Sequence, residues 1–132
     1  MVVILKKICL VCIFTILSLT KAFSIELYTQ NCGKLLKLSN LEHWYAGSKN
    51  QFFYVKGSAK NITGASNKFL VNVLFYTGNE DLIYSRKTSI GKGSLLGDDL
   101  IPMESGFFKT TLGSENIEGV KKIVFRCDLL PF

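Results

Sequence analysis

The chain is poor in the residues from which catalytic and metal sites are built. Its 132 residues include one histidine, and no CxxC spacing occurs between positions 25 and 132. A serine–histidine–aspartate or cysteine–histidine site must therefore use His43, and a zinc site lacks its usual ligand pattern. No serine lies in a GxSxG motif, and the acidic pairs lack the spacing of a calcium loop. We expect no catalytic residues, no metal and no cofactor, and we classify the chain as a non-enzyme.

Segments typical of disorder are also absent. The chain has only two prolines and no low-complexity tract, and 48% of its residues are apolar. Those values are typical of a folded domain and exclude a disordered chain. A length of 132 residues fits one domain of ordinary size, which excludes a multi-domain enzyme and a long repeat array.

The N-terminal residues follow the three-part pattern of a secretory signal peptide. Two lysines, Lys6 and Lys7, precede the uncharged and mostly apolar run Ile8–Leu19, and small residues follow that run. The run is shorter than the ~20 residues of a membrane-spanning helix. We expect residues 1–24 to be cleaved, with cleavage after Ala22 as the alternative. An uncleaved membrane anchor is the second alternative, but no integral span is expected in residues 25–132.

The charge of the remaining chain is modest. Residues 1–24 contain three of the 16 Lys and Arg and none of the 10 Asp and Glu, so residues 25–132 carry a net charge of +3. The basic residues are scattered along the sequence, and only Arg86 and Arg126 are arginines. Nucleic-acid faces usually cluster arginine and lysine with stacking aromatics. We therefore expect no nucleic-acid partner.

Two cysteines remain after residues 1–24, one near each end of the domain. Cys32 and Cys127 would form a single disulfide in an exported protein. This pairing is geometrically reasonable if the first and last strands are neighbours. The alternative is a pair of free, buried thiols.

The hydrophobic pattern of residues 25–132 predicts about seven short strands and no convincing helix. Leu35–Tyr45 is ambiguous, because its leucines also fit helical spacing, and we favour a strand. Phe69–Tyr76 is apolar on both faces, which is typical of a central strand. The seven predicted strands are Ile25–Thr29, Leu35–Tyr45, Gln51–Asn61, Phe69–Tyr76, Leu82–Ile90, Gly106–Leu112 and Val120–Cys127. The sequence therefore predicts one all-β domain over residues 25–132, an antiparallel immunoglobulin- or fibronectin-like β-sandwich.

Residues 53–108 resemble the bacterial FxLYD-type domain. The similar segments are Tyr54–Asn61, Val71–Tyr76 and Leu100–Glu104, the last followed by Phe107 or Phe108. Met103 stands where that family usually has glycine, and Thr77 stands where it usually has aspartate. The resemblance implies an immunoglobulin- or fibronectin-like sandwich in an exported protein, with no catalytic residues to carry over. Within the first segment, Gly57 is expected to permit close approach of a strand or side chain.

These observations favour an exported, non-catalytic protein that binds or scaffolds in the cell envelope. Its expected contact surface is the loop set 43–50, 77–81 and 91–99, with Trp44 and Tyr45 as candidate partner-binding aromatics. For Trp44 we favour a core tryptophan of the sandwich over a partner-binding residue. The partner, expected to be a protein or an envelope component, and the oligomeric state are left open.

Two other functions stay open on the sequence. One is a secreted, host-directed effector or inhibitor, which the sequence does not distinguish from a periplasmic module. The other is a small hydrolase that uses His43 with a loop carboxylate. Asn61-Ile62-Thr63 is in addition an N-glycosylation sequon, which has meaning only in a eukaryotic secretory pathway.

Overall fold

The computed structural model describes residues 24–49, 51–92, 97–113 and 119–130. Every regular element in these ranges is a strand, so they contain no helix that crosses a membrane. The strands are β1 (Glu26–Gln30), β2 (Leu36–Ala46), β3 (Phe52–Asn61), β4 (Phe69–Thr77), β5 (Leu82–Ser89), β6 (Ser105–Gly113) and β7 (Val120–Leu129). The predicted signal peptide, except Ser24, lies outside the described residues, as do parts of the predicted loops at 93–96 and 114–118.

The seven strands form two sheets, in the orders β1-β7-β4-β5 and β2-β3-β6. This arrangement confirms the predicted seven-stranded β-sandwich. Only β2–β3 and β4–β5 are hairpins, and the other connections pass from one sheet to the other, as in Greek-key sandwiches. One pairing departs from the antiparallel prediction, because β1 runs parallel to β7. Parallel pairing is available here because a whole sandwich separates the two strands in sequence.

Phenylalanines form the centre of the core between the sheets. Phe53 and Phe108 from one sheet face Phe75 and Phe125 from the other, and all four are buried. The rings of Phe108 and Phe125 lie 5.8 Å apart at 59°, a tilted contact that joins the two layers. Each buried phenylalanine contributes about 2–3 kcal/mol of transfer free energy to folding. The apolar alternation along the strands therefore supplies the two inner faces.

Strand β4 has the central position that its sequence predicts. It pairs with β5 on one side and β7 on the other. Val71 and Val73 face the core, and Asn72 and Leu74 on the opposite face are also buried. Cross-strand partners on β5 and β7 flank these outer side chains on both sides. This position in the middle of the sheet is consistent with the apolar residues on both sides of the strand.

A β-bulge explains the ambiguous pattern of β2. Ser39 pairs with Ser58 and Glu42 with Lys56, so Asn40 and Leu41 together oppose the single residue Gly57. Asn40 adopts a left-handed conformation with φ of 52°, which asparagine tolerates better than most residues. The extra residue changes the spacing of core-facing residues from two to three. The helical interpretation of Leu35–Tyr45 is therefore wrong, and its apparent helical spacing comes from the bulge.

Gly57 allows two side chains to pack closely at the bulge. A Cβ at this position would lie 2.6 Å from Cζ of Phe108 and 2.7 Å from Cδ2 of Leu41. Both distances are shorter than a carbon–carbon contact, so a larger residue would displace core side chains. The predicted role of Gly57 in close approach is confirmed.

Cys32 and Cys127 form the predicted disulfide, with their Cα atoms 4.9 Å apart. Cys32 follows β1, and Cys127 lies in β7, which pairs with β1. The alternative of two free thiols is not what the structure contains. The bond holds the parallel edge strand to the rest of its sheet.

The turn before β6 contains a strained residue. The backbone N–H of Glu104 donates to the carbonyl of Ile101 at 3.0 Å, which closes a four-residue turn with Pro102 second and Met103 third. Met103 has a φ of 71°, in the left-handed region. A turn with proline at the second position and positive φ at the third is the type II pattern, which normally places glycine there. The side chain of Met103 is exposed and contributes little to the core.

Replacement of Met103 by glycine is expected to raise the free energy of unfolding by about 0.5–1 kcal/mol. Glycine relieves a left-handed strain of about 1–2 kcal/mol, and its greater unfolded-state entropy offsets part of that gain. Urea unfolding of the Met103→Gly variant measures the effect. Ile101→Gly is the matched control, because it removes an exposed apolar residue of the same turn that has no positive φ. A Met103→Gly variant no more stable than the wild type would contradict the strain argument.

Candidate ligand-binding face

The solvent-facing side of the sheet β2-β3-β6 carries a mixture of aromatic rings and lysines. Strand β3 presents its even-numbered residues to solvent, because Phe53, Val55, Gly57 and Ala59 are buried. Strand pairing places residues of β2 and β6 on the same side. We call this surface the cationic aromatic face and define it as Lys37, Glu42, Trp44, Phe52, Tyr54, Lys56, Ser58, Lys60, Phe107 and Lys109.

The aromatic residues of the face lie on three different strands. Trp44 and Tyr54 are cross-strand neighbours whose rings stack at 5.4 Å and 22°. The ring of Phe52 lies 6.4 Å from that of Tyr54. Phe107, on the third strand, is 65% exposed. The face therefore offers both a packed aromatic pair and a free ring.

Two lysine ammonium groups lie near the same indole ring. The Nζ of Lys56 is 5.5 Å from the ring centre of Trp44, and the Nζ of Lys109 is 6.0 Å from it. Lys109 is closer still to Tyr54, at 4.6 Å from the ring centre. These distances fit cation–π contacts, which contribute about 0.5–1 kcal/mol at exposed sites. Lys56 also forms a 3.3 Å ion pair with Glu42.

The lysines of the face are paired with each other across the strands. Lys37 is the direct cross-strand partner of Lys60, and Lys56 is the direct partner of Lys109. Like charges directly opposite each other destabilise a sheet, whereas opposite charges stabilise it. Among the described residues, Glu42 is the only acidic one on the face, so stability alone does not explain two such pairs.

The face also carries the whole net charge of the domain. Its four lysines and one glutamate give +3, and the net charge of residues 25–132 is also +3. The remainder of the domain is therefore neutral overall. Such a concentration of one sign on a single surface produces a field that attracts anions.

The two aromatic residues that the sequence proposed as partner-binding lie on opposite sides of β2. Trp44 is half-buried on the cationic aromatic face, so the favoured interpretation of this residue as the core tryptophan is wrong. Tyr45 faces the other side, where its ring lies 5.0 Å from that of Phe53. Adjacent strand residues point to opposite faces. Both residues belong to a strand, whereas the predicted contact surface consisted of loops.

The sequence did not predict a binding role for Tyr54, Phe107 or the paired lysines. The alternation of Gln51–Asn61 places Tyr54, Lys56 and Lys60 on one wet face, which was the available signal. Their pairing with Lys37 and Lys109 depends on strand register. The face as defined contains no residue of loop 77–81 and none of the described residues of loop 91–99, although Gly91 pairs with the backbone of Phe107.

His43 lies on the inner side of β2, away from the face. Its ring is 5.7 Å from that of Phe53, and no described residue forms an ion pair or hydrogen bond with it. Partial burial lowers the pKa of His43, because desolvation disfavours the charged imidazolium. Across the described ranges, no three His, Cys, Asp or Glu side chains come close enough to hold a metal ion.

A second aromatic–lysine cluster lies on the other sheet, but its charge is already balanced. The Nζ of Lys122 is 4.9 Å from the ring centre of Tyr76 and 5.8 Å from that of Tyr28. Lys122 also forms an ion pair with Glu80, and this hydrogen bond raises the pKa of Lys122. The shallow depression beside it, of about 410 Å³, is lined by both acidic and basic groups. This cluster has no excess positive charge to attract an anion.

Comparisons of this chain with protein-family models, with curated proteins and with solved structures found no match. The resemblance of residues 53–108 to the FxLYD-type domain therefore stays a prediction.

Proposed function

We propose that this chain is an exported, non-catalytic β-sandwich of the cell envelope that binds its ligand through the cationic aromatic face. The observation that carries the proposal is the two directly opposed lysine pairs on a surface that also carries the exposed ring of Phe107 and the half-buried ring of Trp44. A local arrangement that costs stability without a structural gain points to a functional surface. The FxLYD-type resemblance is compatible with this function.

Export is supported by two independent features. The N-terminal pattern is that of a signal peptide. The Cys32–Cys127 disulfide is a type of bond that persists mainly in oxidising compartments. We expect the protein from its native cells to begin at Ile25 or Phe23 and to gain two hydrogens on reduction, as measured by intact mass. A full-length mass would contradict cleavage.

Binding rather than catalysis is supported by the surroundings of the only histidine. Its nearest ring is Phe53, and it has no orienting carboxylate among the described residues. In a serine–histidine–aspartate site, an aspartate hydrogen-bonds to the histidine and orients it.

Cosedimentation with the cell-envelope fraction of the producing organism tests the proposed surface. The comparison uses wild type, Phe107→Ser and Trp44→Ala, with thermal melting to confirm that each variant is folded. We expect each face variant to reduce retention at least fivefold, because it removes a ring that contacts the ligand.

Tyr28→Ala is the matched control for this experiment. Tyr28 is an exposed aromatic on the opposite face of the sandwich, next to Lys122. Its retention is expected to equal that of the wild type. Equal retention of all folded variants would exclude the cationic aromatic face as the binding surface.

A further inference from the structure

We infer that the ligand of the cationic aromatic face is an acidic polysaccharide, a chain of sugar rings that bear carboxylate or sulfate groups. This inference rests on the proposed function and adds the chemical class of the ligand. Lysines would bind the anionic groups, and the exposed rings would stack on the sugars between them.

The spacing of the lysine pairs favours a polymer over a small ion. Lys56 and Lys60 are four residues apart on β3, which separates the two pairs by about 13 Å at about 3.3 Å per residue. One small anion does not reach both pairs. An extended polyanion can place one charge at each lysine pair, and each contact adds to the binding free energy.

The residues between the lysine pairs fit a sugar ring. Ser58 and Phe107 are direct cross-strand partners and occupy the row between the two pairs. Phe107 offers an exposed ring for stacking on the apolar face of a sugar, and Ser58 offers a hydroxyl for hydrogen bonding. Beyond Lys56 and Lys109 lies the row of Trp44 and Tyr54. Charged and aromatic rows therefore alternate along the sheet, as charges and ring faces alternate along an acidic polysaccharide.

Electrostatics within the face makes anion binding favourable. Each lysine pair repels itself in the free protein, and a bound anion between the two ammonium groups removes that repulsion. Lys109 has no ion-pair partner among the described residues, whereas Lys56 shares its charge with Glu42. Glu42 should therefore compete with the ligand for Lys56.

Other polyanions fit the surface less well. The face contains no arginine, since Arg86 and Arg126 lie on β5 and β7 of the other sheet. Arginine is the usual partner of phosphates and bases in nucleic-acid recognition. A polyglutamate chain would satisfy the lysines but has no rings to stack on Phe107 and Trp44.

Trp44 is the only tryptophan of the chain and reports on the face directly. Titration of the disulfide-bonded protein with oligogalacturonate or with chondroitin sulfate is expected to change its fluorescence saturably and to protect it from acrylamide quenching. Binding should weaken as salt is raised, because lysine–anion contacts are screened. Neutral dextran is the uncharged control, and polyglutamate and an oligothymidylate are the charged ones.

Matched variants separate the face from overall charge. Lys56→Gln/Lys109→Gln and Lys37→Gln/Lys60→Gln should each weaken polysaccharide binding at least tenfold. Lys68→Gln/Lys87→Gln removes the same charge from exposed positions outside the face and should change binding less than twofold. Glu42→Gln should tighten binding at least twofold, because Lys56 then has no competing carboxylate.

The outcomes distinguish the two proposals. Failure of both acidic polysaccharides, with envelope retention still dependent on Phe107, overturns the ligand class and leaves the proposed function in place. If neither acidic polysaccharide binds and envelope retention does not depend on Phe107, both proposals are overturned. Tighter binding of the oligothymidylate, or equal binding of polyglutamate with no effect of Phe107→Ser, also overturns the polysaccharide assignment.

Discussion

Reduction of the Cys32–Cys127 disulfide is expected to lower the free energy of unfolding by about 4–5 kcal/mol in the chain-entropy limit. The cysteines are 95 residues apart. The bond therefore closes a loop that spans nearly the whole domain, and this loop lowers the conformational entropy of the unfolded state. That loss is a large share of the free energy of unfolding of an ordinary domain, which is about 5–15 kcal/mol. Guanidinium unfolding with and without reductant measures it.

The same bond has a local effect on β1. This strand has one neighbour, β7, and its described side chains are mostly exposed, with only Leu27 partly buried. Reduction should therefore raise amide exchange in β1 more than in β4, whose two neighbours remain. Cys32→Ala/Cys127→Ala is the control without reductant and should match the reduced protein. A stability change below about 1 kcal/mol would contradict the entropic account.

Replacement of Asn61 by alanine is expected to lower the free energy of unfolding by about 2–4 kcal/mol. The substitution leaves buried hydrogen-bonding groups without partners, and each such group costs about 1–3 kcal/mol. Asn61 is fully buried. Its Nδ2 donates to the carbonyls of Ala65 at 2.9 Å and Leu100 at 2.8 Å. Its Oδ1 accepts from the backbone N–H of Thr63 at 2.8 Å and from the Thr63 hydroxyl at 2.7 Å. The side chain thus joins the end of β3 to two loops.

Thermal and urea unfolding of Asn61→Ala test this role. Asn67→Ala is the matched control, since Asn67 belongs to the same loop but makes longer hydrogen bonds, of 3.2 and 3.4 Å. It should cost less than about 1 kcal/mol. Equal losses in the two variants would contradict the buried network.

Burial of Asn61 also decides the meaning of its sequon. The Nδ2 that a glycan would modify donates to two backbone carbonyls and has no access to solvent. Asn61-Ile62-Thr63 in the folded domain is therefore a structural turn, in which the asparagine hydrogen-bonds its own backbone.

The sequence predicted the strands well because each strand is a local signal. Alternation along Gln51–Asn61 identifies a strand with one buried side, and the double-sided apolar pattern of Phe69–Tyr76 identifies a central strand. The pattern was misleading only in Leu35–Tyr45, where the bulge at Asn40 shifts the periodicity. A bulge depends on the partner strand, so no window of one strand reveals it.

The candidate site was only partly predictable. The sequence predicted Trp44 as a candidate binding residue, but its neighbour Tyr45 faces the other side of the strand. The lysines are scattered along the sequence, so the sequence did not predict that they form a cluster. They meet only because β2 pairs with β3 and β6 with β3 in one particular register. A shift of one residue would move every one of these side chains to the opposite face.

The sequence by itself determined the all-β class, the approximate bounds of seven strands and the two cysteines available for a disulfide. These features depend on local alternation, turn residues and composition. The tertiary structure alone decided the parallel pairing of β1 with β7, the bulge opposite Gly57 and the opposed lysine pairs. Such features depend on which strands become neighbours and in which register, and that is set by the packing of the whole core rather than by any single segment.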